Sequence, residues 1–278
     1  MQTDIPFFQV DAFASAAFEG NQACVMPLDD GFLDDETLQK IAAENNVAET
    51  AFIVSAGEGT WELRWFTPAV EVPLCGHATL AAGHVLLNEV GADDEKIIFR
   101  TRQSGDLVVA RQGAGYAMDF PAPAVFETEA TPDIIAALGD EPIRCWGGPF
   151  FAAQFKSVAD VKRLSPDVRA LAKLGVSGHE GTWDRGNFGC FALGGEGDVE
   201  VTSRFFAPGS GIDEDPATGS WHCMLAVIAS QLTGQPAHRC YQAFPSRGAR
   251  IGVEVKGTRI ELLGEAITVI RGAFTLSA

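Results

Sequence analysis

Glu49, Cys75, His77, Asp215 and Ser220 are the residues of this chain whose types and surroundings could do chemistry. His77 and Ser220 each follow a glycine, Gly76 and Gly219, that ends a proline-containing loop and opens an apolar run. A helix starting there presents backbone N–H groups that have no partner within the helix, and its dipole adds about half a positive charge. Such an end holds an anion without any Lys or Arg. Asp215 stands directly before Pro216, which restricts it to extended backbone and can aim its carboxylate beside those donors. Each residue alone has a plainer reading. Ser220 is an ordinary N-cap residue, His77 a capped or satisfied polar group, and Cys75 a small buried hydrophobe. Glu49 is an exposed strand position, and Asp213-Glu214-Asp215 a solvated acidic turn. Their recurrence at matched positions weakens those readings.

The match extends into the elements that must carry these residues. Arg64-Trp65-Phe66-Thr67-Pro68 leads through a short insert to Pro73-Leu74-Cys75-Gly76-His77. Arg204-Phe205-Phe206-Ala207-Pro208 leads likewise to Pro216-Ala217-Thr218-Gly219-Ser220. The repeat, half the chain apart, reads as an internal duplication in which each half ends a strand in a loop that opens a helix. Residues 76–90 and 219–232 are apolar on nearly every side, so both helices are expected to be buried. Asp34 and Asp35 start a helix that stops near Asn45-Asn46, and strands are expected at 47–54, 61–66, 97–100, 106–111 and 116–120. A short helix over 131–138 has Pro132 in its first turn, and another helix is expected over 166–174. Pro121-Ala122-Pro123 is the linker candidate, dividing the chain into 1–122 and 123–278. A return of the last strand, about 266–278, to the first half is left open.

With 278 residues, 46% of them apolar, the chain suits two modest domains with real cores. No window reaches the ~18 uninterrupted apolar residues of a membrane span, and the N-terminus lacks the pattern of a secretory signal, so a cytoplasmic location is expected. A formal charge of −17 argues against nucleic-acid and anionic-membrane partners. The six cysteines form no CxxC pair and no zinc-spaced cluster with histidine, so reduced thiols and no metal are expected.

These blocks resemble the PhzF-like isomerase family of phenazine biosynthesis. The matching residues are Val10-Asp11-Ala12-Phe13 with Gly20-Asn21, Ala48-Glu49-Thr50-Ala51-Phe52, Arg64 to Pro68 with Glu71-Val72-Pro73, Cys75-Gly76-His77-Ala78-Thr79, and Arg204 to Pro208 with Glu214 to Ser220. The resemblance implies the diaminopimelate-epimerase-like α+β fold: two pseudo-symmetric halves, each a mixed sheet around a central helix. It implies cofactor-free isomerisation of a small carboxylate-bearing metabolite and a homodimer. By the same resemblance Glu49 is the acid/base, with Asp215 and His77 also catalytic. Gly76, Cys75, Gly219, Ser220 and Thr218 then bind substrate. The related two-thiol racemases need a second cysteine where this chain offers Ala217 and Thr218. A Cys75-dependent epimerase and a non-catalytic binding protein on the same fold are the alternatives.

Overall fold

The structure is a computed structural model that describes residues 2–57, 59–91, 94–175 and 186–277. The chain divides into two compact units, Met1–Asp119 with Leu263–Ala278, and Phe120–Leu262. Among the described residues no helix is long and apolar enough to cross a membrane.

The first unit runs β1 (Gln2–Ala12), β2 (Asn21–Leu28), α1 (Asp35–Asn45), β3 (Glu49–Gly57), β4 (Thr60–Phe66), β5 (Glu71–Val72), α2 (Gly76–His84), β6 (Lys96–Thr101), β7 (Asp106–Gln112) and β8 (Gly115–Pro121). Its helices exist because parallel neighbours need a crossover. β2 and β3 are parallel and joined through α1, while β4 and β6 are parallel and joined through α2. The remaining pairs, β1–β2, β3–β4, β6–β7 and β7–β8, are antiparallel. The C-terminal strand, Ala266–Ser277, belongs to this unit: it pairs antiparallel with β1 along its whole length, with one bulge at Gln9/Val10.

α1 starts on the Asp34 side chain, which accepts the Thr37 N–H, and stops at Asn46 in the left-handed region. It buries Leu38, Ile41 and Ala42 against Met26, Phe52 and Phe66. α2 has no exposed face: every residue from His77 to His84 is buried. The single helix expected over 76–90 changes character at its end. After His84 the backbone widens into a π-turn over Val85–Glu89, where the Val90 N–H reaches the Val85 carbonyl at 2.9 Å. Neighbouring strands contact this turn. Arg111 donates to the Leu87 carbonyl, and the His84 ring bridges Tyr116 and Thr268, each at 2.9 Å.

The second unit repeats the wiring with its own elements. These are β9 (Phe126–Thr128), α3 (Pro132–Leu138), β10 (Arg144–Gly147), β11 (Phe151–Gln154), α4 (Val158–Arg163), α5 (Val168–Leu171), β12 (Phe188–Leu193), β13 (Val201–Phe206), β14 (Glu214–Asp215), α6 (Gly219–Thr233), β15 (Ala237–Gln242), β16 (Ala249–Lys256) and β17 (Arg259–Gly264). β10–β11 is antiparallel, β11–β12 parallel, β12–β13 antiparallel, β13–β15 parallel across α6, and β15–β16 antiparallel. That is the order of β1, β2, β3, β4, β6 and β7. α6 is the counterpart of α2, and Trp221 on it is fully buried. Gly189 on β12 makes room for that indole, since a Cβ there would meet the ring at 2.3 Å. The helix expected over 166–174 shrinks to the single turn Val168–Leu171, because Ser165–Asp167 stay outside it and Asp167 spends its carboxylate on the Arg169 and Ala170 N–H groups as N-cap.

Candidate active site

In the first unit, Glu49 is the first residue of β3 and Cys75 the N-cap of α2. The loop from β4 to α2 is closed by Arg64, whose guanidinium forks both oxygens of Glu71 at 2.8 Å and reaches Asp35 at 2.8 Å. This ion group is nearly buried on the arginine side, and the hydrogen bonds from Arg64 hold the Glu71 carboxyl below the usual carboxylate range. Cys75 has the extended backbone usual at an N-cap (φ −145°), but its side chain makes no cap hydrogen bond. Its Sγ instead lies 3.5 Å from His77 Nδ1. The other ring nitrogen, Nε2, lies 2.9 Å from Glu49 Oε2. That contact is close without being an aligned hydrogen bond. Asn21, 1% exposed, brings its side-chain amide within 3.3 Å of Nδ1. It is placed by a turn at Gly20 (φ +61°), where a Cβ would strike the Ala12 carbonyl oxygen at 2.1 Å.

The imidazole is therefore set between a thiol and a carboxylate. Burial works against its charged form, yet the Cys75 sulfur and the Glu49 carboxylate outweigh burial and hold His77 well above the ordinary histidine value. Burial is also the main influence on Cys75. Together with the Glu49 charge it pushes the thiol up, although His77 pulls the other way. The Asn21 amide can present oxygen or nitrogen to Nδ1 by rotating, so it matches either protonation state of the ring. Glu49 keeps 18% of its side chain exposed, the largest share in the group. It stands at the edge of the site, where a small molecule could meet it. This overturns the plainer reading of Glu49 as an exposed strand position.

Glu49, Cys75 and His77 also offer one oxygen, one sulfur and one nitrogen within 4.8 Å of one another, donor types that zinc accepts. The ring nitrogens are divided, however: Nδ1 faces the thiol and Nε2 the carboxylate. An ion there would use one of the two nitrogens and leave the other to its present neighbour.

The second unit builds a matching junction. Arg204 forks Glu214 at 2.7 Å through both oxygens and donates to the carbonyls of Val161, Lys162 and Leu164. Thr218 occupies the N-cap position of α6 that Cys75 occupies on α2, and it too makes no side-chain cap. Its hydroxyl donates to Asp215 Oδ2 at 2.5 Å. Ser220, expected as a possible N-cap, lies inside the first turn and is exposed. Gly219 opens the helix, as Gly76 opens α2. His222, one turn on, donates Nδ1–H to the Thr218 carbonyl at 2.9 Å.

The structure thus gathers Glu49, Cys75, Gly76 and His77 in one unit, and Asp215, Thr218, Gly219 and Ser220 in the other. Three groups supporting these sets escaped the sequence reading: Asn21, Gln242 and the two Arg–Glu forks. Only the forks left a signal, since Glu71 and Glu214 each stand two residues before the proline of their loop.

Known proteins share this arrangement of the chain. The family model of the phenazine biosynthesis-like proteins, PhzC-PhzF, matches residues 10–272. An uncharacterized isomerase from Pseudomonas aeruginosa is 40% identical over 274 residues, covering 98% of this chain and 99% of that protein. The crystal structure of a PhzF-family phenazine biosynthesis protein from Enterococcus faecalis matches with a TM-score of 0.91 at 35% identity, over 99% of this chain and 100% of that one. A hydroxyproline epimerase from Agrobacterium vitis, 12% identical with a TM-score of 0.58 over 99% of this chain and 92% of its own, shares the fold alone. On these matches and this α+β fold, the chain belongs to the PhzC-PhzF family of phenazine biosynthesis-like proteins and is an isomerase-type enzyme.

Proposed function

We propose that this enzyme moves a proton between carbons of a small carboxylate-bearing metabolite without a cofactor, with Glu49 as the general acid/base. The observation that carries the reading is the Glu49–His77 contact of 2.9 Å at the start of a buried helix. Glu49 takes a proton from a carbon next to a carboxylate or carbonyl and returns it to another carbon. His77, held protonated beside it, steadies the carboxylate between the two steps and donates toward charge developing on the substrate. The first-turn N–H groups of α2, including those of Gly76 and His77, face that charge as an oxyanion site does. Asp215, with Thr218, Gly219 and Ser220, is assigned to holding substrate polar groups.

Solvent deuterium uptake tests this. A metabolite extract incubated with the enzyme in deuterated water should yield labelled compounds, and Glu49→Gln should lower their rate of labelling by at least about a hundredfold. Labelling at the wild-type rate in Glu49→Gln removes Glu49 from the role.

A Cys75-dependent epimerase is the second reading, and the 3.5 Å approach of Cys75 Sγ to His77 favours it. The raised thiol weighs against it, because the thiol must first lose a proton to act as a base. Under the Glu49 reading, Cys75→Ser retains most of the labelling. Under the epimerase reading it abolishes labelling.

A further inference from the structure

Gln242 ends β15 with its side chain fully buried and at 0% exposure. A buried primary amide is costly unless its groups are paired, and here both ends are spent on one loop. Oε1 accepts the Thr218 N–H at 2.9 Å. Nε2 donates to the Asp215 carbonyl at 2.5 Å and lies 3.2 Å from Thr218 Oγ1. Thr218 N–H belongs to the residue before α6, where no helical carbonyl can satisfy it. The amide therefore replaces a missing stretch of backbone pairing and fastens the Asp215–Thr218 turn to the sheet.

A second consequence follows for the carboxylate. A hydroxyl has one proton to give. With Gln242 Nε2 donating into Thr218 Oγ1, the oxygen's own proton is directed to Asp215 Oδ2, at 2.5 Å. We infer that Gln242 is a positioning residue: through Thr218 it fixes the rotamer of Asp215 and supplies the hydrogen bond that favours its ionised form. This rests on the reading that places Asp215 in the site.

The test reads the carboxyl directly in the full chain. The Asp215 carboxyl carbon, assigned by its loss in Asp215→Asn, is followed against pH by NMR. The wild type is compared with Gln242→Leu, Thr218→Val and the double variant. Loss of a hydrogen bond to the charged form raises a carboxyl pKa. Each single variant should thus move the titration midpoint up by about one unit, and the double variant no further than either alone. An unmoved Asp215 midpoint in a folded Gln242→Leu chain overturns the inference, as do fully additive shifts, which would separate Gln242 from Thr218. The near-isosteric Gln242→Met serves if the leucine variant does not fold. The wild type supplies an independent check: its Thr218 amide must exchange slowly with deuterated water, and rapid exchange overturns the Gln242 contact whatever the variants do. No turnover is measured, so an Asp215→Asn enzyme with full labelling activity would end the assignment of Asp215 to the site and leave these results standing.

Discussion

Acidification should destabilise the second unit through His222, and the size of the effect follows from the surroundings of that ring. His222 is fully buried on α6 and donates Nδ1–H to the Thr218 carbonyl. Its other nitrogen, Nε2, is buried with no hydrogen-bond partner. Protonation would put an N–H with a full charge into an apolar interior, so burial lowers the imidazole to about 4 against an ordinary value of 6.5; the bond to Thr218 only partly opposes this. Between those values the unfolded chain takes up a proton that the folded chain refuses, so stability falls as pH drops through that window. At ~1.4 kcal/mol per unit, the lowering is worth about 3 kcal/mol, most of it lost by about pH 4 and the rest below. The perturbation is His222→Asn, which keeps an N–H near the Thr218 carbonyl and removes the titration. Its cost at pH 7 should be about 1–2 kcal/mol, for the atoms lost from a packed site. Urea unfolding at pH 7, 6, 5 and 4 supplies the comparison. The wild type should lose about 3 kcal/mol more than the variant across the series, so the variant becomes the more stable of the two near pH 4. Parallel stability curves would refute the reasoning.

Other outcomes follow from the same geometry. His77 should act in the opposite sense to His222. Its value is raised in the folded state, so its contribution to stability is fully present below about pH 6.5 and lost as pH rises through the folded value. His77→Gln should flatten the alkaline side of the stability profile. Arg204→Ala should cost about 3–5 kcal/mol in urea unfolding, because it leaves Glu214 half-buried and unpaired; Arg204→Lys should recover only part, since an ammonium cannot make the two-toothed contact. Dialysis against EDTA should leave deuterium labelling unchanged, and a loss restored by added zinc would turn the Glu49–Cys75–His77 group into a metal site. Cys75 should react slowly with iodoacetamide at pH 7, since the thiol is buried and raised; complete alkylation within minutes would contradict that state.

The duplicated motif was legible from side-chain type and spacing. Arginine, aromatic and proline at matched positions, followed by a glycine and an uninterrupted apolar run, left few structures other than a strand, a loop and a buried helix. The same is true of Asp34, Thr131 and Asn46, whose capping roles depend on neighbours within a few residues. Ser220 was harder, because a serine after a glycine has the same local appearance whether it caps the helix or lies inside its first turn. The choice fell to Thr218, whose N–H is claimed by Gln242, distant in sequence. The π-turn after His84 was likewise invisible, since Arg111, Tyr116 and Thr268 come from other strands.

By itself, then, the sequence determined the repeat, the two helix starts and the identity of the polar residues at each. These depend on short-range rules of capping, turn geometry and hydrophobic period that act within a few residues. Only tertiary structure decided what those residues touch. Glu49 meets His77 because β3 begins beside the start of α2, and Asn21 joins them from the turn after β1. Gln242 reaches the Asp215 turn because β15 pairs with β13. The protonation of His77 was decided at the same level, because a ring's charge depends on the groups packed around it and on how much water they exclude.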